Sequence, residues 1–560
     1  MSKEVIYQVF PRYFGNDGRN IPSGTIEENG CGKFSDFTKD ALKSISELGV
    51  THIWYTGVLE HATQTDYIKD GVCRDHPAVV KGKAGSPYAI KDYYDVACDL
   101  ADVLSERLDE FSALVQRTHD AGLKVIIDFV PNHVARKYHS DVKPEGVRDF
   151  GQDDFKKHAF DPYNSFYYIV DQQFKPDFDL HAPCGCYEEY PAKATGNDCF
   201  TANPTKNDWY ETVKLNYGVD YLGGGKKHFD PVPATWFKML HILEYWASKG
   251  VDGFRCDMAE MVPVEFWGWV IPRLKANNPT LIFIAEVYNP SLYWEYIHQG
   301  HFDFLYDKEG MYNTLRSIIE GHASASNITH CWQSTNDIQQ HMLGFLENHD
   351  EQRIASDFFA KNPFKAIPGM FVLTTYHKNP VMIYAGQELG ERGMFAEGFS
   401  GLDGRSTIFD YWSIDSLVAW KNGGKWNTEK LTAEQQTLRQ TYQKLLTIST
   451  QEEAIRDGSF FDLQYANKHN AAYDSWNVYA FLRNTKDEIL LGVANFSDEV
   501  KELSIEIPKH AFDCLSITDG ISLSMHDLIN ALDCEVLWSS KQPISIRLEP
   551  YGICLLKGKF

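Results

Sequence analysis

Four short polar segments in this chain each follow directly on an apolar run: Asp128-Phe129-Val130-Pro131-Asn132-His133, Arg255-Cys256-Asp257, Glu286-Val287-Tyr288 and Glu347-Asn348-His349-Asp350. Taken singly each has an ordinary explanation, since Asn and Asp cap turns and helix starts and an Arg-x-Asp pair closes a strand end. Among their residues are three candidate carboxylates, Asp257, Glu286 and Asp350, with an arginine and two histidines, in a chain without a nucleotide-binding glycine motif. That set suits hydrolysis of an acetal, in which one carboxylic acid protonates the leaving oxygen while another carboxylate attacks or stabilises the oxocarbenium-like carbon. Arg255 and Asp257, two apart on a strand, face the same side. The guanidinium is therefore expected to hold Asp257 ionised, whereas a carboxyl among negative neighbours keeps its proton into the neutral range.

These segments can meet only if the elements carrying them end on one rim. From Val5 the chain repeats a unit of short apolar strand, loop and amphipathic helix, the pattern of a parallel sheet flanked by helices. Strands are predicted over residues 5–10, 51–55, 124–129, 253–256, 281–285, 302–305, 342–346 and 380–384, which makes eight, with helices over residues 40–48, 104–122 and 236–249 among those between them. Eight such units predict an α/β fold of the (β/α)8 TIM barrel type, whose active site lies at the C-terminal strand ends. Between residues 134 and 222 the repeat breaks into polar, Gly, Pro, Asn and aromatic residues, too long a stretch for a bare loop, and reads as an inserted domain B after strand three. Beyond Glu453 period-two runs at residues 476–482, 488–496, 503–507 and 544–548 predict a C-terminal all-β sandwich. The expected division is a barrel over 1–133 and 223–453, an insert over 134–222 and a β domain over 454–560.

The four segments resemble the four signature regions of the α-amylase family, glycoside hydrolase family 13, and Val213-Lys214-Leu215-Asn216 resembles its fifth region. Order and context match, and the resemblance covers nearly the whole chain, the family having a barrel, a B domain after strand three and a C-terminal β-sandwich. It implies Asp257 as nucleophile, Glu286 as general acid/base and Asp350 as a third carboxylate that binds and distorts the sugar. Arg255, His133 and His349 would contact that sugar or the nucleophile. Tyr88, within Gly85-Ser86-Pro87-Tyr88, would be a stacking platform. Arg353 is either a ligand of sugar hydroxyls or an exposed arginine at a helix start. Asn132 resembles a residue that binds structural calcium in many members, although calcium would also need oxygen ligands from the insert, none of which the sequence identifies. Many endo-acting members carry a Lys-His pair after the nucleophile that reaches acceptor-side sugars, where this chain has Glu260-Met261. With a fifth region closer to the neopullulanase and cyclodextrinase type, this points to a retaining glycoside hydrolase acting on maltooligosaccharides or related α-glucans. The alternatives are a glucanotransferase using the same intermediate and a weakly active binding member. Members without activity usually lose a catalytic carboxylate, and all three are present here.

Composition agrees. The 560 residues include 54 Lys and Arg against 77 Asp and Glu, a formal charge of -23, which repels nucleic acid and anionic membranes and favours a neutral ligand. Aromatic residues make up 14%, enough for core packing and for platforms under sugar rings. Eleven cysteines, an odd number, read as small apolar residues in a reducing setting; Cys184, Cys186 and Cys199 fall in one loop-like region without paired Cys-x-x-Cys spacing. No apolar run approaches the ~18 residues that span a bilayer. The N-terminus, Met1-Ser2-Lys3-Glu4, leads at once into a strand pattern, which reads as an intracellular protein or as one whose signal segment has been removed.

Overall fold

The computed structural model describes residues 3–397 and 401–560, so Met1 and Ser2 lie outside the described residues. Eight parallel strands form one sheet: β1 (Val5–Val9), β2 (His52–Tyr55), β3 (Lys124–Phe129), β4 (Gly253–Cys256), β5 (Ile282–Ala285), β6 (Phe304–Tyr306), β7 (Met342–Leu343) and β8 (Val381–Tyr384). From β1 to β7 each strand pairs with the next in chain order, and β1 also pairs with β8. The ring closes where Gly344 bridges to Val381 in parallel and Met382 N–H donates to Gly344 O at 2.9 Å. β3 and β4 cover the residues their apolar runs predict. β7 is shorter than its apolar run, because from residue 344 the chain keeps only the bridge to β8.

Period-two alternation sorts these strands into two faces. Ile6, Trp54, Ile126, Ile284, Tyr306, Leu343, Phe345 and Met382 pack together as a buried cluster distinct from the main core, filling the barrel interior. Gly253 faces the same interior: a Cβ there would come within 2.5 Å of the Ile282 side chain, so β4 has room only for hydrogen. The outward residues meet amphipathic helices. Ala234–Ser248 buries Trp236, Met239, Ile242, Leu243 and Trp246, a single stripe at helical spacing.

Residues 134–222 form short antiparallel pairs, Tyr168–Ile169 with Ala192–Lys193 and His181–Ala182 with Gly185–Cys186, around a small cluster that includes Ile169, Phe174 and Ala192. One pair matters for the site. Thr212–Lys214 runs antiparallel to His133–Ala135, with Lys214 opposite His133, and ties this region to the chain leaving β3. Toward the C-terminus six antiparallel strands form one sheet and Lys501–Ile505 pairs with Ile544–Leu548 in another, with Leu482, Leu491, Ile505, Trp538 and Leu548 in a shared core. All eleven cysteines are free thiols, and among the described residues Cys184, Cys186 and Cys199 do not converge as a metal site. Among the described residues no helix is long and apolar enough to cross a membrane.

Candidate active site

Arg255 is the floor of the site. It points inward from β4, is 0% exposed, and its guanidinium carbon lies 5.2 Å from the ring of Trp54, 5.5 Å from Tyr88 and 5.4 Å from Tyr306. Nε donates to the Tyr306 hydroxyl at 3.2 Å and Nη1 to Asp257 Oδ1 at 2.8 Å. Nη2 sits 2.8 Å from Glu286 Oε2 as a close ion contact, without the alignment of a hydrogen bond. One cation therefore meets Asp257, Glu286 and, at 3.6 Å, Asp128 Oδ1; the expectation that Arg255 holds Asp257 ionised and so sets nucleophile apart from acid is corrected, because Glu286 shares the cation and Asp257 itself lies among negative neighbours.

Their other contacts do separate them. Asp257 Oδ2 has no hydrogen-bond partner, with His133 Nε2 4.0 Å away. Glu286 is held at both oxygens: Tyr288 donates its phenol to Oε1 at 2.6 Å, and Met258 N–H donates to Oε2 at 2.8 Å. Burial pushes the Asp257 carboxyl well above the ordinary range; Arg255 pulls it back, and the charges of Glu286 and Asp128 push it further up. Asp350, by contrast, keeps 32% of its side chain exposed. Burial raises its carboxyl, but the adjoining His349, together with Arg255 and Arg405, outweighs that and brings it below the ordinary value.

A cavity of about 310 Å³ brings these groups together, lined by Asp257, Glu286, Asp350, Tyr88 and His133 among others. Tyr88 stacks on His349 with ring centroids 5.3 Å apart, and its hydroxyl lies 2.5 Å from His349 Nε2. Gln8 meets His349 Nδ1 at 2.8 Å from inside the barrel, so this imidazole is fixed on both sides. Burial, with Lys214 and Lys81 adding to it, lowers His133 to about 3, which leaves a neutral imidazole at the cavity wall.

Arg353 is not brought to the cavity. It is 0% exposed, donates to Glu347 Oε2 at 2.9 Å, Ala385 O at 3.0 Å and Ser406 Oγ at 3.1 Å, and lies 3.9 Å over the Tyr384 ring. Both sequence readings of Arg353, sugar ligand and exposed helix-start residue, give way to a buried brace of the segment after β7.

Asn132 does not fit a calcium ligand in this chain. Its Oδ1 accepts a hydrogen bond from Lys214 Nζ at 2.8 Å, and the same ammonium lies 2.5 Å from Asp198 Oδ1. Asn132 Nδ2 donates to Gly196 O at 2.8 Å. A lysine 1% exposed thus stands where a bound cation would have to sit, and a second cation beside it would be repelled. EDTA is expected to leave both the unfolding temperature and the cleavage rate unchanged. Lys214→Met is expected to lower the unfolding temperature, by less than the ~3–5 kcal/mol typical of breaking a fully buried pair, because the Asp198 side chain is 39% exposed. Activity lost to EDTA and restored by Ca²⁺ would contradict this account.

Sequence reasoning missed part of the wall. Trp209 lines the cavity and meets His133 edge to face at 5.2 Å, and the Lys81–Glu211 ion pair at 2.9 Å joins it. Trp209 and Glu211 lie just before the strand that pairs with His133–Ala135, which is the signal that could have placed them. Residues 8–479 match the family model described as the alpha amylase catalytic domain. The chain belongs to the alpha-amylase family of glycoside hydrolases. Within that family it is 27% identical over 403 residues to Alpha-amylase MalA of Haloarcula japonica, a match spanning 70% of this chain and 44% of that protein, less than half its length. It is 21% identical over 514 residues to a Cyclomaltodextrinase of Thermoanaerobacter pseudethanolicus, covering 88% of this chain and 70% of that one. In fold it is similar to a noncanonic maltogenic alpha-amylase of Thermotoga neapolitana, with a TM-score of 0.63, 20% identity and coverage of 100% of this chain and 99% of that one.

Proposed function

We propose that this protein is a retaining glycosidase that cleaves α-glucosidic bonds, mainly α-1,4, in short maltooligosaccharides and related α-glucans. The observation that carries the reading is the contrast between two carboxylates on one arginine: Asp257 with a donor-free oxygen, Glu286 with donors at both. An oxygen without donors keeps its lone pairs for attack on carbon. A carboxyl held in place is suited to handing a proton across a fixed distance.

In the first step Asp257 Oδ2 forms a bond to the anomeric carbon as the bond to the leaving oxygen breaks, and that oxygen takes the proton from Glu286. In the second, Glu286 removes a proton from water, whose oxygen attacks the same carbon and displaces Asp257, so the configuration is restored. Arg255 contacts both groups and offsets the charge that moves between them. The ionised Asp350 and the neutral His133 are placed to accept and donate hydrogen bonds to sugar hydroxyls, and Tyr88 offers a ring face.

Substrate length is supported by the size of the cavity, at the low end of the ~300–1,000 Å³ usual for small-molecule sites. The names of the similar cyclomaltodextrinase and maltogenic amylase point the same way. Incubation with maltose, maltotriose, maltoheptaose, a cyclodextrin, pullulan and soluble starch, with products resolved over time, tests it. Maltoheptaose and the cyclodextrin should be consumed faster per bond than starch. Starch cleaved much faster than maltoheptaose would refute the preference for short substrates, and early products longer than the input would make the enzyme a transferase.

A further inference from the structure

Three segments that leave different strands meet in the cavity wall. Lys81 lies between β2 and β3, Trp209 and Glu211 in the region inserted after β3, and Ile408 and Phe409 beyond β8, and all five line the cavity. In a ring of eight strands in chain order, β5, which ends at Glu286, stands opposite β1, and β2 and β8 are the strands that flank β1. The segments beyond β2 and β8 are joined through the backbone: Ala84 N–H donates to Phe409 O at 3.0 Å and Lys83 N–H to Asp410 Oδ1 at 2.8 Å. Gly82 has a φ of +66°, and a Cβ there would come within 2.2 Å of Phe409 O, so this close approach requires glycine.

Lys81 ties this wall together. Its ammonium lies 2.9 Å from Glu211 Oε1, 5.5 Å from the centroid of the Tyr210 ring and 5.9 Å from that of Phe409, so one side chain reaches both the inserted region and the segment beyond β8. The Lys81 side chain keeps 24% of its surface exposed, whereas Glu211 keeps 5% and its Oε2 is buried without a hydrogen-bond donor. An ammonium has three donors, and one contact to Glu211 does not use them all. We propose that Lys81, braced by Glu211, is a specificity-determining residue: it ends the glycone side of the cavity and binds the non-reducing end of a linear chain, so that the cut falls at a fixed distance from that end. The orientation rests on the reading of Glu286 as the acid, because the leaving sugars then lie toward β5 and the retained sugars toward β1. An interior glucose carries the next unit on its O4, and a closed wall gives that unit no passage.

The test uses maltoheptaose with an aryl label at its reducing end, and the same compound with O4 and O6 of the terminal non-reducing glucose tied in an ethylidene acetal. The parent and Lys81→Ala are compared on both, with first-formed products resolved by chromatography and an unfolding curve for each protein. In the parent one labelled fragment should dominate the first products, and the blocked chain should have a kcat/KM about tenfold or more below the open one, the scale of losing a hydrogen bond from a charged donor. Lys81→Ala should spread the first cuts over several bonds and shrink the penalty of the block to about threefold or less. A cyclodextrin, which has no end to seat, should be opened by the parent more slowly than maltoheptaose is cut. Equal kcat/KM for blocked and open chains in the parent, with first cuts scattered along the chain, would overturn the proposal and leave the glycosidase reading intact. A block that slows the parent and Lys81→Ala alike would take the role away from Lys81. Should Lys81→Ala not fold, Glu211→Gln, which removes the charge that holds the ammonium, is read in the same way. A parent that cleaves neither chain contradicts the α-glucan reading itself, and this proposal with it.

Discussion

Asp257→Asn is expected to reduce kcat on maltoheptaose by about 10⁴-fold or more, a loss of roughly 5 kcal/mol of transition-state stabilisation. The substitution is nearly isosteric and keeps an oxygen for the 2.8 Å bond from Arg255, so the fold should survive and KM should change little. What it removes is the donor-free carboxyl oxygen that attacks carbon. Steady-state kinetics with an unfolding curve for each protein checks this. A variant that kept a tenth of the parent rate would place the nucleophile elsewhere.

Glu286→Gln has the second largest expected effect, and it depends on the leaving group. On a natural glucan, where the departing hydroxyl needs a proton, kcat should fall by about 10²–10⁴-fold or more. On an activated aryl α-glucoside the leaving group departs without one, so glycosylation should be spared and the loss smaller. The Gln amide can accept from only one of the two donors that hold Glu286, Tyr288 and Met258 N–H, so some loss of positioning falls on both substrates. Equal slowing of the two substrates would contradict the assignment of the acid.

The barrel was legible because its strands are buried on both faces. Lys124–Phe129 and Gly253–Cys256 are short apolar runs bounded by turn residues, and local pattern alone delimits them. The carboxylate ends were legible for the same reason, since a strand end in a barrel fixes which rim a residue joins. What stayed hidden depends on partners far apart in the chain. The cation on Asn132 comes from Lys214, 82 residues on, and nothing near Asn132 announces it. Arg353 read as a sugar ligand or a surface residue because its acceptors, at Glu347, Ala385 and Ser406, assemble only when the segments around β7 and β8 fold together. The sharing of Arg255 between Asp257 and Glu286 is likewise a property of two adjacent strands and not of the Arg-x-Asp spacing. Glu260 was visible as a departure from the family pattern, but its task, holding the backbone at residues 288 and 289, lies in a loop across β5.

The covalent step through Asp257 is the claim on which the rest depends, and trapping it is the most direct measurement. A 5-fluoro-α-glucosyl fluoride supplies a good leaving group and slows departure of the sugar from the enzyme, so the glycosyl-enzyme should accumulate. Intact-mass spectrometry is predicted to show one fluoroglucosyl unit added per chain, and peptide mapping to place it on the fragment containing Asp257, with no adduct in Asp257→Asn. A label on another carboxylate, or turnover of the parent without an adduct and with release of the β-anomer, would contradict the retaining mechanism at its first step.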